Sequence, residues 1–191
     1  MVMIFRGIRS VTDRDCRTCV SESLSLNFTE GNSIDYKFFD AQDIAPRLEF
    51  GYGLSYTTFE YASNITVQAT GSRLGGYAEG ELAAGGREDL WDIVATVQTS
   101  IANTGPFEGA EVAQLYVTFP ELANKPIRQL RGLEKMLLQP GGEASVLFEV
   151  KRMDLSVWDT VAQKWNMVHG TYTMHVGASS RDLRVEASLT V

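Results

Sequence analysis

WDIVATVQTSIANTGPFEGAEVAQLYVTFP, residues 91–120, is the stretch on which the fold turns. Trp91, Ile93, Ala95, Val97 and Ile101 fall on odd positions, with Asp92, Thr96, Gln98 and Ser100 between them. That period of two predicts a strand with one buried face. Asn103-Thr104-Gly105-Pro106 breaks the run, as turn-forming residues do. Ala113, Leu115, Val117 and Phe119 then make one face of a second strand, which Pro120 ends.

The same alternation extends outward on both sides. Ile65, Val67 and Ala69 predict an earlier strand. Leu133, Lys135 and Leu137 lead into the turn Pro140-Gly141-Gly142, after which Ala144, Val146, Phe148 and Val150 alternate. Asp154–Trp158 reads as a corner between sheets. Tyr172, Met174 and Val176 are followed by the loop Ser179-Ser180-Arg181-Asp182, then by Leu183, Val185, Ala187, Leu189 and Val191. About seven alternating strands separated by turns predict an all-β fold, an antiparallel two-sheet sandwich of the immunoglobulin and fibronectin type III kind. Tyr172, early in the penultimate strand, fits two roles equally: a tyrosine corner tied to nearby backbone, or plain core packing.

Two segments stand apart. GSRLGGYAEGELAAGG (71–86) has six glycines in sixteen residues and is expected to be a flexible surface loop. Residues 21–61 lack a strand series but are dense in aromatics, among them Tyr36, Phe50, Tyr52, Tyr56 and Phe59. Such apolar density needs a surface to pack on, and a surplus left exposed marks an interface.

Composition narrows the function classes. The chain has 191 residues, a formal net charge of −7 and 44% hydrophobic residues, enough apolar side chains to form a core. Its acidic balance argues against nucleic acid and anionic membranes as partners, which require Lys and Arg against phosphate. No run approaches the roughly 20 apolar residues of a membrane span. The first 25 residues form a basic leader, expected to be disordered, with Arg6, Arg9, Arg14 and Arg17 against Asp13 and Asp15. Met1–Phe5 is apolar, but arginines follow rather than precede it, so a secretory signal is not expected. Cys16 and Cys19 form a lone C-x-x-C. Zinc would need His169 and His175 from far along the chain, and a redox dithiol would need a βαβ context, so incidental thiols are expected.

Catalytic constellations are also sparse. Glu30, Asp35, Asp40, Asp43 and Glu49 cluster among the aromatics and are expected to be solvated or paired, with Lys37 or Arg47 as partners. His169 and His175 have no serine in a nucleophile-elbow context and are expected at the surface. Gly51-x-Gly53 lacks the third glycine of a dinucleotide fingerprint, and residues 71–86 lack a phosphate-loop Lys-Ser/Thr, so no cofactor is expected. Asn27-Phe28-Thr29 and Asn64-Ile65-Thr66 fit the N-glycosylation pattern, making Asn27 and Asn64 candidate acceptors.

EGNSIDYKFFDAQDIAPRLEFGYGLSYTTFEY (30–61) resembles the end of the second catalytic domain and the linker of glycoside hydrolase family 3 β-glucosidases, especially fungal ones. NTGPFEGAEVAQLYV (103–117), RQLRGLEKMLLQPGGE (128–143), DLSVWD (154–159) and YTMHVGASSRDL (172–183) resemble the fibronectin type III-like domain that closes such enzymes. The resemblance covers about residues 26–191 and implies a remnant of the α/β domain plus linker over 26–59, then a fibronectin type III-like domain over 60–191.

In that family the nucleophile belongs to a barrel domain with an SDW-like motif, and the acid/base lies in the α/β domain. A retaining glycosidase needs both carboxyl groups about 5 Å apart. This chain has no SDW motif and is short for a barrel fold of about 250 residues, so no catalytic residue is expected on it. The resemblance therefore implies a non-catalytic accessory domain whose partners are catalytic domains absent from this chain. Tyr36, Phe50, Tyr52, Tyr56, Phe59 and Tyr77 are the candidate docking aromatics. The same aromatics could instead stack on sugar, which makes glucan a further candidate partner and a stand-alone carbohydrate-binding module the alternative. The parent enzymes are commonly secreted.

Overall fold

The computed structural model describes residues 29, 31–70 and 74–191. The leader 1–25 with Cys16 and Cys19, as well as Asn27 and Glu30, lies outside the described residues. In chain order the elements are helix α1 (Tyr36–Ala41) and strands β1 (Phe59–Tyr61), β2 (Thr66–Ala69), β3 (Gly76–Tyr77), β4 (Leu82–Ala83) and β5 (Gly86–Arg87). Next come β6 (Ile93–Asn103), β7 (Gly109–Thr118), β8 (Gln129–Leu138) and β9 (Glu143–Lys151). A helical turn, α2 (Arg152–Leu155), precedes β10 (Ser156–Asp159), β11 (Lys164–Met167), β12 (Thr171–Gly177) and β13 (Leu183–Thr190). Among the described residues no helix is long and apolar enough to cross a membrane.

Two antiparallel sheets form the sandwich. In the first, β6 is central: β9 lies along one side, and β1 and β2 share the other, pairing with residues 101–103 and 95–98 respectively. The second runs β13-β12-β7-β8. Side chains alternate along each strand, so the inward sets Val97 and Ile101, Leu115 and Val117, Val146 and Phe148, and Met174 and Val176 meet between the sheets. Each such buried side chain contributes about 1.5–3 kcal/mol. The expected all-β sandwich is the observed one.

The odd-position rule fails at one end of β6. A bulge between Ile93 and Ala95 inserts an extra residue, so Val94 turns inward while Trp91 and Ile93 face solvent. Two further bulges leave Arg131 unpaired opposite β7 and Arg184 unpaired opposite β12. The 154–158 corner is present: α2 turns the chain from β9 into the β10–β11 hairpin, to which β3 adds a third strand.

The glycine-rich segment corrects the expected flexible loop. From residue 74 it is built into short strands, with Tyr77 opposite Asn166 and β4 paired to β5. Backbone hydrogen bonds supply the order that side-chain packing could not. Asp89 accepts the N–H groups of Glu79 and Gly80 at 2.9 and 3.0 Å, and buried Arg152 donates to the carbonyls of Gly75 and Gly76. Gly75 and Gly76 have φ of +87° and +73°, conformations that admit glycine readily.

Tyr172 fills both roles considered for it. Its ring is fully buried, and its hydroxyl lies 2.9 Å from the Val168 carbonyl and 3.1 Å from that of Leu155. Burial pushes its pKa up to about 12. Tyr172→Phe keeps the ring and removes the single O–H that the two carbonyls share. It is expected to destabilise the domain by about 1–2 kcal/mol with an unchanged urea m-value. A midpoint unmoved by the substitution would show that the hydroxyl tie contributes nothing.

Candidate functional site: a latched strap and an exposed apolar edge

Residues 36–57 form a strap, of which 36–51 cross the outer face of the second sheet. Sequence reasoning missed this because it tracked the odd, inward residues of β7. The even residues Gln114 and Tyr116 are buried too, on the opposite face, and the strap is what covers them. Tyr36 stacks on Phe50 with ring centroids 4.5 Å apart and meets Tyr116 edge-on at 6.1 Å. The Tyr36 hydroxyl accepts the Leu130 N–H at 2.9 Å.

Polar bonds fasten the strap at both ends. Asp40, with its side chain 3% exposed, sits 3.1 Å from Arg181 Nε and 3.3 Å from Arg128 Nε. The second contact is an ion pair outside hydrogen-bond angles. Arg181 also donates to the Ile44 carbonyl at 2.8 Å. Ser179 donates to the Glu49 carboxylate, and the Ser180 N–H to the Phe50 carbonyl. Gln114 Nε2 donates to the carbonyls of Gly51 (2.9 Å) and Ala178 (2.6 Å), while its Oε1 accepts the Tyr116 hydroxyl at 2.7 Å. Asp40 is therefore paired as expected of this carboxylate cluster, but with Arg128 and Arg181 rather than Lys37 or Arg47, because the sheet's own arginines converge on the strap.

The candidate aromatics divide by environment. Tyr36 and Phe50 form the internal latch, and Phe59, in β1, packs against the core. Tyr77 belongs to β3 rather than to a mobile loop. Its hydroxyl donates to Asp159 at 2.7 Å and Lys164 lies over its ring. Tyr52 and Tyr56 face solvent. With Leu48 69%, Tyr52 51%, Leu54 90% and Tyr56 96% exposed, side chains along the strap from residue 48 onward form an uncovered apolar edge. Beside it, an open cleft of about 270 Å³ is lined by Tyr36, Phe39, Pro46, Leu48, Phe50 and Arg181. Asn64 is exposed at the bend between β1 and β2.

His169 is exposed, as expected, but His175 is not. It is half-buried between Thr118 Oγ1 and Glu186 Oε2, each 3.1 Å away, because β12 is an interior strand of its sheet. Burial lowers its pKa, with Arg128 acting in the same sense and Glu186 opposing both. The unfolded chain therefore binds this proton more readily. The associated stability is present above about pH 6.5 and is lost as pH falls through the lowered folded value. His175→Gln should flatten the dependence of unfolding free energy on pH between 7 and 5. Asp89 and Asp159 are held below their usual range and so act at lower pH, while Glu111, raised by burial, works in the opposite sense to His175. An unchanged slope in His175→Gln would exclude His175 as its source.

Comparison with known proteins follows the same geometry. A fibronectin type III-like domain model matches residues 111–180. The chain is 50% identical over 180 residues to a probable β-glucosidase D of Emericella nidulans, covering 94% of this chain and 22% of that protein. It superposes on the crystal structure of β-D-glucoside glucohydrolase from Trichoderma reesei with a TM-score of 0.84 and 48% identity, over 91% of this chain and 24% of the other. This chain is the fibronectin type III-like region of family 3 β-glucosidases.

A glycoside hydrolase family 3 β-glucosidase of Neurospora crassa superposes on this fibronectin type III-like region with a TM-score of 0.76 at 28% identity, over 86% of this chain and 28% of that one. The region thus spans between a fifth and a quarter of the length of the first two relatives. The similarity to the E. nidulans protein extends over strap and sandwich together, which agrees with the two being one packed unit here.

Proposed function

We propose that this region is a non-catalytic accessory domain of a family 3 β-glucosidase, the parent activity being removal of terminal β-D-glucosyl residues during β-glucan and cellulose breakdown. Its role is to dock on and steady the catalytic domains. The observation that carries the reading is the division of the strap. It is latched to the sandwich through Tyr36, Asp40 and Gly51, while the side chains of Leu48, Tyr52, Leu54 and Tyr56 are left uncovered. An apolar edge held on a rigid support is suited to burial against a second body. Glycosylation at exposed Asn64, in keeping with secretion of the parent enzyme, belongs to the same proposal.

The purified chain is expected to give no turnover of an aryl β-glucoside. Leu54→Ser with Tyr56→Ser, placed in a full-length enzyme of this family, is expected to lower its thermal midpoint by several degrees while leaving the isolated chain's midpoint unchanged. Turnover by the isolated chain, or an intact enzyme indifferent to both substitutions, would overturn the proposal. Retention on insoluble glucan, lost on Tyr52→Ala, would favour a carbohydrate-binding module instead.

A further inference from the structure

A second feature, at the start of β8, owes nothing to the apolar edge. Gln129 is only 9% exposed, and its side-chain amide nitrogen has no hydrogen-bond partner among the described residues. Its Oε1 is already taken by Arg131 Nη2 at 3.1 Å. Arg131 is the residue that the β7–β8 bulge leaves unpaired, and its guanidinium reaches Gln129 two residues before it. The Arg131 guanidinium lies over the Phe119 ring, 5.4 Å from its centre, and its Nε is likewise buried without a partner. A buried donor left unpaired costs about 1–3 kcal/mol, so two on linked side chains call for an explanation.

The surroundings supply cations rather than acceptors. Half-buried Lys125 lies close enough to Arg131 and Lys37 for both to depress its pKa, after burial itself. Asp154 is within electrostatic reach of Arg131 but makes no ion pair with it among the described residues, and it accepts the Lys151 N–H instead. The Tyr36 hydroxyl is engaged by the Leu130 N–H. The cluster thus holds unused N–H donors and excess positive charge on a chain whose net charge is −7.

We infer that Gln129 and Arg131, backed by Lys125, form a binding site for a planar carboxylate, whose two oxygens would take the unpaired Nε2–H and Nε–H groups. Carboxylate is favoured over a neutral carbonyl because it satisfies two donors at once and offsets the clustered charge. The site does not rest on the docking proposal, since it shares no residue with the exposed edge.

The test uses the whole 191-residue chain and sodium acetate as probe, with sodium chloride at matched ionic strength as control. Side-chain ¹H–¹⁵N resonances of Arg131 Nε and Gln129 Nε2 should shift saturably with acetate and not with chloride. N-acetyl-aspartate amide and glucuronate, run in parallel, distinguish a peptide from a sugar source of the carboxylate. Gln129→Glu places a carboxylate beside Arg131 from within and should abolish the acetate response at Arg131 while raising the thermal midpoint. No shift with acetate, or an equal shift with chloride, would overturn the assignment. So would an undiminished acetate response in Gln129→Glu.

Discussion

Gly51→Ala is expected to detach the strap while leaving the sandwich folded. A Cβ at residue 51 would stand 2.1 Å from Gln114 Oε1, well inside contact distance. Gln114 has little room to retreat, because it donates to two carbonyls and accepts the Tyr116 hydroxyl. Residue 51 also has φ of +80°, which costs a non-glycine residue about 1 kcal/mol or more. Loss of the Gln114 bonds and the backbone strain together should weaken strap docking by about 2–4 kcal/mol.

The measurement is hydrogen exchange. Amides of residues 36–51 should lose protection, those of β6, β7 and β12 should keep it, and proteases should gain access to the strap. Combining Gly51→Ala with Gln114→Ala removes the clash and should cost less than the two single changes added together, the signature of direct coupling. Additive effects would show that residue 51 acts through backbone strain alone.

Asn103→Ala is expected to damage the whole domain. Asn103 is 1% exposed and uses its full side-chain bonding capacity: Oδ1 accepts Thr57 Oγ1 at 2.6 Å and the Gly105 N–H at 3.0 Å. Its Nδ2 donates to the carbonyls of Phe107 and Leu138 at 2.8 and 2.9 Å. One amide therefore joins the end of the strap, the β6–β7 turn and the end of β8. Alanine leaves four groups unpaired at a buried site, and a loss of about 3–5 kcal/mol is expected, a large part of the 5–15 kcal/mol that holds most domains together. Asn103→Asp keeps the acceptors, loses both donors and buries a charge, so it should not rescue. Urea denaturation decides the matter. A loss below about 1 kcal/mol would mean that the turns close without the hub.

What was legible in the sequence was what has a period. Alternation along β6, β7, β9 and β12 announced the sandwich, and it misled at Trp91 and Ile93, where a bulge shifts the phase by one residue, and at Gln114, Tyr116 and His175, whose face of the second sheet is covered as well. Asn103 was read as part of a turn signal, and its place at the centre of three elements could not be seen, since Thr57 and Leu138 are remote in the chain. The latch was hidden for a related reason. Its members, Asp40, Gly51, Gln114, Arg128 and Arg181, carry no local pattern and meet only once the second sheet exists. Glycine content suggested looseness at 71–86, yet from residue 74 the distant carboxylate of Asp89 and guanidinium of Arg152 impose order on that backbone.

Asp40 has a mechanical consequence. One carboxylate grips Arg128, just ahead of β8, and Arg181, in the β12–β13 connection, at opposite edges of the same sheet. Tension arriving along the backbone from the strap's amino-terminal side would be divided between those two anchorages and carried across the strands. Peeling the strap away from either edge alone would meet resistance from the other.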